Sequence, residues 1–378
     1  MHIAVDAANL PHDRRGIGRY ARAVISRWLH TPDRVRLTML VPDFFLFVAR
    51  RKLARTLGRD DIDVRRRQSK RELRPDFVWY PWNGMTWTSP FASVATVHDV
   101  WPFVSPADNP QTRRREQTAY LTMAEHTKAI IANSHFTKSE MIKYLPVPPE
   151  RIHVVHMGVD VLKTNGGAAQ AKRAQDALVL DDVDRYVLFV GESELRKDLP
   201  TLQAAMGMLP DSIRATTGLV LVGKSTSRVP CGGIETKTTD GRDVLSLHFA
   251  SDRSVPTLVA GEVSDELLDR LYTGAAAFVF PSFYEGFGLP VLEAMARGIP
   301  VVASSAASIP EVGGEAALYF PAGDAATLAT TLARVLQDEQ LAHTLRSAGL
   351  ARAAELSWDR CAEETLRVFE GMMLEHHA

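Results

Sequence analysis

Short apolar runs alternate with amphipathic helical patterns along most of the chain. The runs of the first half are HIAVDA, RLTMLV, VWYPW, SVATVHD, AIIANS and IHVVHMGV, and those of the second half are YVLFVG, GLVLVG, SVPTLVAG, AAAFVFPS, IPVVAS and AALYF. This alternation is typical of βα repeats, which build parallel sheets covered by helices on both faces. The pattern therefore predicts an α/β protein with two parallel sheets.

The two series of runs are separated by residues 163–182, which show no clear strand and contain the chain breaker Asn165-Gly166-Gly167. We therefore predict an N-terminal domain over residues 1–172 and a C-terminal domain over residues 173–357. A final helical pattern over residues 358–378 is expected to cross back to the N-terminal domain. A length of 378 residues suits two domains with a ligand cleft between them.

One run, GLVLVGKS from Gly218 to Ser225, matches the phosphate-loop pattern of kinases and ATPases. In a phosphate loop, the residues between the glycines form a flexible turn around an anion. Here these residues, Leu219–Val222, are apolar and half of them are β-branched, which favours a buried strand. The loop-forming Pro230, Gly232 and Gly233 that follow argue against the required helix.

Composition and charge narrow the class of protein. Hydrophobic residues make up 46% of the chain, charged residues 24%, and the net charge is −1, so no overall positive field would attract nucleic acid. The N-terminus reads as a strand without a basic leader, and no apolar run is long enough to span a bilayer, so a cytoplasmic protein is expected. Cys231 and Cys361 lack the spacing of a zinc or redox site.

The segment from Phe278 to Ser304 carries the most specific pattern. A strand is followed by a Gly-rich turn with Glu285, and a short helix then presents Glu293 in its first turn. A helix N-terminus binds phosphate, and carboxylates on either side of it would accept hydrogen bonds from sugar and ribose hydroxyls. The alternative is that Glu293 only complements the helix dipole and Glu285 is a solvated turn residue.

Four motifs together resemble the retaining nucleotide-sugar glycosyltransferases of family 4, and the resemblance covers nearly the whole chain. They are EGFGLPVLE at 285–293, GVD at 158–160, GESELRKDL at 191–199 and VSDELLDRLY at 263–272. The resemblance implies the GT-B fold, in which two Rossmann-like domains with parallel sheets flanked by helices enclose a ligand cleft. It also implies that Glu285 binds hydroxyls of the donor sugar and Glu293 the ribose. The donor-binding residues that it implies are Gly16, Gly18, Ser134, Val263, Gly286, Phe287, Gly288, Leu289 and Glu293.

Arg196 and Lys197 follow the strand YVLFVG, at the sheet edge where α/β proteins bind ligands. Two cations there could neutralise a diphosphate leaving group without a metal ion, although an Arg-Lys pair can also be solvated surface. The chain departs from the family at Glu192, where many members carry an arginine, so Arg196 is expected to supply that charge.

In the first domain, RRGIGRYA at 14–21 fits a loose dinucleotide-binding pattern, but its glycines lie too far beyond the strand. The resemblance instead implies that Gly16 and Gly18 face the donor phosphate and the acceptor, although a helix start also favours small residues. It places His98, at the end of the strand SVATVHD, next to a hydroxyl of the donor sugar. The segment ANSHFTKSE at 132–140, which contains Ser134, resembles the family's segment at the domain interface.

Asp-x-Asp pairs bind divalent cations in the other large glycosyltransferase fold, so the two such pairs of this chain are candidate metal ligands. The pairs Asp61-Ile62-Asp63 and Asp182-Val183-Asp184 both precede strands, at the edge of a sheet that faces away from a ligand cleft. They are interpreted as solvated turns, and neither a metal nor a cofactor is expected.

The sequence therefore predicts a retaining, metal-independent hexosyltransferase, with catalytic roles for His98, Glu285, Arg196 and Lys197. Its expected partners are a GDP- or UDP-hexose donor, with GDP-mannose as the first choice, and a glycan or lipid-linked acceptor in polysaccharide assembly. Three alternatives stay open: a GT-B sugar-nucleotide epimerase, a noncatalytic nucleotide-sugar binding module and a phosphate-loop kinase.

A basic run extends from Arg50 to Arg74, with eleven Lys and Arg against four Asp and Glu, a net charge of +7. The aromatic stretch FFLF at 44–47 precedes it, and residues 43–57 are predicted to form a helix. Such a helix can lie on an anionic membrane, which would place the protein peripherally on the inner face. Alternatively, the run is a solvated helix face whose phenylalanines belong to the core.

Overall fold

A computed structural model of the chain describes residues 1–13, 16–42, 46–67, 73–105, 109–160, 178–181, 183–192, 194–224, 232–239, 242–250 and 255–377. The chain forms two compact units. The first comprises Met1–Gly158 and Leu356–Ala378, and the second comprises Val159–Glu355. A seven-stranded sheet organises the first unit and a six-stranded sheet the second, and the strands within each of these sheets pair in parallel.

The sheet of the first unit has the strand order β3-β2-β1-β4-β5-β6-β7. Its strands are β1 (His2–Asp6), β2 (Arg36–Val41), β3 (Asp63–Arg66), β4 (Phe77–Tyr80), β5 (Ser93–Val97), β6 (Ala129–Ala132) and β7 (Ile152–Val154). The helices between them are α1 (Gly16–Trp28), α2 (Leu46–Leu57), α3 (Trp101–Val104), α4 (Pro110–His126) and α5 (His135–Tyr144). Every residue of β4 and β5 is buried, as expected for parallel strands with helices on both faces.

The main sheet of the second unit has the order β13-β10-β9-β14-β15-β16, and three further strands form a small sheet in the order β11-β12-β8. The strands are β8 (Leu178–Leu180), β9 (Arg185–Val190), β10 (Thr217–Val222), β11 (Gly233–Thr239), β12 (Arg242–His248), β13 (Thr257–Gly261), β14 (Ala277–Phe280), β15 (Val301–Ser304) and β16 (Ala317–Phe320). The helices are α6 (Leu199–Gly207), α7 (Asp211–Arg214), α8 (Asp265–Gly274), α9 (Leu289–Ala296), α10 (Ile309–Gly313), α11 (Ala325–Gln337) and α12 (Glu339–Glu355). The strand order reverses between β9 and β14, which is where doubly wound sheets bind ligands.

The last helix, α13 (Trp358–His377), belongs to the first unit and packs against α1. The indole Nε1 of Trp28 donates to the carbonyl of Ala362 at 3.0 Å, and the Trp28 and Phe369 rings meet edge to face at 5.8 Å. At the surface, Arg34 forms an ion pair with Glu363 at 2.9 Å. Aromatic packing and hydrogen bonding thus fix this helix to the sheet built by the first part of the chain.

The fold settles two interpretations of the sequence. Leu219–Val222 lie within β10, where all residues are buried and pair in parallel with β9 and β13. The prediction of a strand in place of a phosphate loop is confirmed. The expectation of no strand within 163–182 is wrong at its end, because Leu178–Leu180 form β8 and pair with β12. The rest of that segment, apart from residue 181, lies outside the described residues.

Two further findings concern the predictions about membranes. In the part of the chain that the structure describes, no helix combines the length and apolar composition that crossing a bilayer requires. The helix expected over residues 43–57 is present as α2 from Leu46 onwards, and residues 43–45 lie outside the described part.

Candidate active site

The loops that follow β9 and β14 meet at the carboxyl edge of the second unit's sheet. These two strands are neighbours, so the chain leaves both at the same edge. The backbone N–H of Phe283 donates to the carbonyl of Arg196 at 2.9 Å, and the hydroxyl oxygen of Ser282 lies 2.8 Å from the same carbonyl oxygen. These bonds hold the Arg196-Lys197 segment against the Gly-rich turn that carries Glu285.

Lys197 and Glu285 form a buried ion pair at this junction. The Lys197 Nζ lies 2.6 Å from Glu285 Oε1, and the two residues are only 8% and 7% exposed. Ser282 Oγ donates to the same Oε1 at 2.6 Å, and a guanidinium nitrogen of Arg196 lies 3.7 Å from Oε2. Glu285 is therefore not a solvated turn residue, and Lys197 is not solvated surface.

Electrostatics keep the Glu285 carboxylate ionised. Burial alone would raise the pKa of Glu285, but the charges of Lys197 and Arg196 and the hydrogen bonds from Lys197 and Ser282 outweigh burial and lower it below its ordinary value. Glu194 also forms an ion pair with Arg196 at 2.5 Å, so two carboxylates and two cations balance each other in this cluster. The Glu285 carboxylate can accept hydrogen bonds from hydroxyls, and Lys197 and Arg196 place two cations beside it.

The Gly-rich turn leads into the N-terminus of α9. Gly288 precedes the helix with φ 103°, a left-handed conformation that glycine adopts without strain. The hydroxyl of Ser308 lies 2.8 Å from the carbonyl oxygens of both Glu285 and Phe287, and this contact holds the turn in place. The first turn of α9 therefore offers its backbone N–H groups and positive dipole end at a defined position. Gly286 and Leu289 lie beside this turn, and their contacts with a donor stay predictions.

The expectation of Glu293 in the first helical turn is wrong, because α9 begins at Leu289 and Glu293 is the fifth of its eight residues. Glu293 is 7% exposed. The hydroxyl of Tyr272, on α8, donates to its Oε2 at 3.2 Å. The guanidinium of Arg297 lies 4.8 Å from the Tyr272 ring, and its Nε donates to Asp269 at 2.8 Å. This network connects α9 to α8, the helix that begins just after half-buried Val263.

Tyr272 belongs to the motif VSDELLDRLY at 263–272, but neither its residue type nor its spacing predicts a contact with Glu293. Its apolar neighbours Leu271 and Phe278 make a core position the natural interpretation. The informative signal was its combination with Glu293, 21 residues later, which only the packing of α8 on α9 brings within hydrogen-bonding distance.

In the first unit, His98 directly follows β5 and is buried, with its ring edge to face against Tyr20 at 5.0 Å. Its Nε2 lies 3.0 Å from the carbonyl of Pro81. A carbonyl can only accept, so Nε2 carries the proton and Nδ1 is a bare acceptor. Within the described residues, this buried Nδ1 has no hydrogen-bond partner, and neither has the buried Oδ1 of Asn133. Asn133 itself donates to the His98 carbonyl at 2.9 Å.

We expect His98 to be neutral at physiological pH. Burial lowers the pKa of His98 to about 4, against smaller raising effects of the Pro81 carbonyl and the Asp13 charge. In ¹⁵N NMR titrations of histidine-labelled protein, its ring should therefore stay neutral at pH 6, with its single proton on Nε2. A pKa near the ordinary value of about 6.5, or a proton on Nδ1, would contradict this assignment. A His98→Gln variant identifies the resonance.

The other predicted residues of the first unit have structural roles beside any role in binding. Gly16 is the first residue of α1. At Gly18, a Cβ atom would lie 1.8 Å from the carbonyl oxygen of Asp13, so only glycine fits. Ser134 is buried and caps α5 by accepting from the N–H of Thr137 at 2.9 Å. Their contacts with a donor stay predictions.

The carboxylates of the first Asp-x-Asp pair have arginine partners. Asp61 forms an ion pair with Arg59 at 2.6 Å, and Asp63 with Arg65 at 2.8 Å, while Thr38 also donates to Asp63 at 2.9 Å. Asp63 is the first residue of β3 and Asp61 precedes the strand, so both lie away from its carboxyl end. In the second pair, Asp182 lies outside the described residues.

Two protein families match the chain. Residues 11–162 match the family described as Glycosyltransferase Family 4, and residues 170–352 match Glycosyl transferases group 1. O-antigen chain mannosyltransferase B of Escherichia coli is 32% identical over 281 residues, which cover 74% of this chain and 70% of that protein. The serotype-specific mannosyltransferase WbdA of Escherichia coli is 26% identical over 289 residues. That match covers 75% of this chain but only 34% of WbdA.

Solved structures share the fold at low sequence identity. HepE of Anabaena, crystallised with UDP and glucose, superposes with a TM-score of 0.66 at 15% identity, over 98% of this chain and 100% of HepE. Sucrose-phosphate synthase of Thermosynechococcus elongatus superposes with a TM-score of 0.69 at 20% identity, over 99% and 100% of the two chains. These similarities confirm the predicted architecture of two Rossmann-like domains.

Proposed function

The chain is a GT-B glycosyltransferase of family 4, and from this membership we propose that it transfers a hexose from a nucleoside diphosphate sugar to a hydroxyl acceptor. We further propose that the sugar keeps its anomeric configuration and that no metal ion takes part. The observation that carries this proposal is the buried pair of Lys197 and Glu285, beside the turn that begins α9. The Glu285 carboxylate of this pair can accept hydrogen bonds from sugar hydroxyls, and Lys197 places a cation directly beside it.

In the proposed reaction, Lys197, Arg196 and the N-terminus of α9 stabilise the diphosphate as it leaves. Glu285 accepts hydrogen bonds from hydroxyls of the donor sugar. One Glu285 oxygen already receives bonds from Lys197 and Ser282, which makes it a weak nucleophile. This favours a short-lived oxocarbenium-like ion over a covalent sugar intermediate. The acceptor then enters on the face that the diphosphate leaves, and a phosphate oxygen takes its proton.

His98 contributes an acceptor and not an acid in this proposal. In this proposal its partnerless Nδ1 lone pair accepts from a hydroxyl of the donor sugar, and its lowered pKa keeps that lone pair available at neutral pH. Glu293, held by Tyr272, accepts from the ribose.

The proposed donor is GDP-mannose. This choice is supported by the mannosyltransferases among the relatives, above all the one at 32% identity. UDP-hexose is the second candidate, because HepE was crystallised with UDP and glucose. The proposed acceptor is a glycan or lipid-linked sugar, and the proposed location is the cytoplasm.

A panel of nucleotide sugars tests the donor. GDP-mannose should raise the melting temperature more than GDP-glucose, UDP-glucose or UDP-galactose, since a ligand of the native state stabilises it as the logarithm of its concentration over Kd. NMR of the product should show the donor's anomeric configuration, and the rate should be unchanged in EDTA. An inverted product, or activity that EDTA removes, would contradict the proposed mechanism. Conversion of the donor without modification of an acceptor would instead support an epimerase.

A further inference from the structure

Helix α2 carries an exposed face that combines aromatic and cationic side chains. We call it the basic-aromatic face and define it by Phe47, Val48, Arg51, Lys52 and Arg55, which line one shallow groove. Phe47 is 81% exposed and Val48 48% exposed, and the three basic residues are exposed as well. Of the α2 side chains, only that of Leu53 is buried. The phenylalanine at position 47 is therefore not part of the core.

The order of residues along the helix separates the apolar and charged parts of this face. Phe47, Arg51 and Arg55 follow each other at intervals of four residues, and Val48 and Lys52 form a neighbouring row. The apolar side chains thus lie at the N-terminal end and the cations toward the C-terminal end of one surface. Long basic side chains can lie along a membrane surface while an adjacent phenylalanine enters it.

The basic residues next to this face have carboxylate partners. Arg59 and Arg65 form ion pairs with Asp61 and Asp63. Among the residues that the structure describes, no carboxylate forms an ion pair with Arg51, Lys52 or Arg55. No described carboxylate therefore competes with an external anionic surface for these three cations.

The position of α2 in the first unit extends this surface. The helix packs beside β3, which is an edge strand of the sheet, and a second groove is lined by Arg50, Arg65 and Arg66 together with the carboxylates of Asp61 and Asp63. The cations are consequently gathered at one edge of the unit, although the whole chain has a net charge of −1.

We propose that the basic-aromatic face binds an anionic lipid bilayer. Phe47 and Val48 enter the boundary between headgroups and acyl chains, while Arg51, Lys52 and Arg55 contact the anionic headgroups. The exposed phenylalanine favours this partner over a nucleic acid backbone, which would engage the cations without needing an apolar insertion. The proposal uses none of the residues assigned to the transferase reaction.

Flotation with vesicles tests this proposal without donor or acceptor, so its outcome is independent of the proposed reaction. The full chain should float with vesicles of phosphatidylglycerol and phosphatidylcholine at low salt, but not with phosphatidylcholine alone, and raised salt should release it. The variant R51E/K52E/R55E should bind more than about tenfold more weakly, since each basic residue contributes to attraction by anionic lipid. Phe47→Ser should weaken binding by about tenfold without any change of charge.

The matched control is R114E/R115E/K128E, which makes the same charge change at exposed positions of the same unit. It should keep at least half of the wild-type vesicle affinity. All variants should keep the wild-type affinity for the nucleotide donor, which reports an intact fold. Absence of wild-type flotation at low salt, equal binding to neutral vesicles, or equal losses in the control variant would each overturn the proposal. So would tighter binding to a random RNA than to anionic vesicles.

Discussion

Replacing Lys197 with methionine should lower turnover by about a hundredfold or more, because the variant loses the cation proposed to stabilise the leaving diphosphate. From the sequence alone, loss of this lysine is expected to leave the fold intact. The structure changes that expectation. Removal of one partner from a buried ion pair costs about 3–5 kcal/mol, since Glu285 would stay buried without its main counter-charge. The variant should therefore melt at a lower temperature as well as react slowly.

A double variant separates the two effects. In Lys197→Met/Glu285→Gln both charges are gone, and the glutamine can still receive the hydrogen bond of Ser282. Its melting temperature should recover most of the loss seen in Lys197→Met, whereas its turnover should not recover. Steady-state rates and calorimetry measure the two properties. If activity recovered together with stability, Lys197 would be a structural residue only.

The same pair predicts how stability responds to acid. The pKa of Glu285 is lowered in the folded chain, so the folded state binds this proton less readily than the unfolded state. The stabilisation is therefore present above the ordinary carboxyl pKa and is lost as pH falls through the lowered value. The double variant should lack this part of the acid sensitivity.

Replacing Glu293 with glutamine should lower kcat/KM for the donor by about a hundredfold, because a neutral amide accepts the ribose hydroxyls less strongly than a carboxylate. Glutamine has nearly the same shape and can still accept from Tyr272, so the fold should be unchanged. Tyr272→Phe should have a smaller effect of about tenfold, because it removes the bond that positions the carboxylate and keeps the ring.

A donor analogue that lacks the ribose 3′-hydroxyl identifies the group that Glu293 recognises. The wild type should discriminate against the analogue. Glu293→Gln should discriminate less than the wild type, and Tyr272→Phe should lie between the two. Glu315→Gln, at an exposed position of the same unit, is the matched control. Unchanged discrimination in Glu293→Gln would contradict the proposal that Glu293 binds the ribose, whatever the effect on overall rate.

The sequence predicted those features that depend on neighbouring residues. The fold class follows from the alternation of apolar runs and helical patterns, and the similar structures confirm it. Glu285 and Glu293 could be singled out because a strand, a Gly-rich turn and a helix start occur within one short segment. The rejection of a phosphate loop depended on the composition of Leu219–Val222, which is again a local property.

What the sequence did not predict depends on contacts between distant residues. Lys197 and Glu285 are 88 positions apart, and only the pairing of β9 with β14 makes them partners. The hairpin of β11 and β12 was missed because its alternation is weak, although Asp240-Gly241 is a common hairpin turn sequence. The bare acceptor at His98 follows from the Pro81 carbonyl, a contact that no spacing rule reveals.

The attachment of α13 to the first unit has a consequence for protein synthesis. The ribosome completes residues 1–158 long before α13 exists, because the 197 residues of Val159–Glu355 come in between. At about 5–20 residues per second, this interval lasts roughly 10–40 s. During it, Trp28 and Phe77 lack the Phe369 ring that covers them in the finished protein. The nascent first unit therefore exposes an aromatic surface that chaperones can bind, and the second unit, although made later, is the first that can fold to completion.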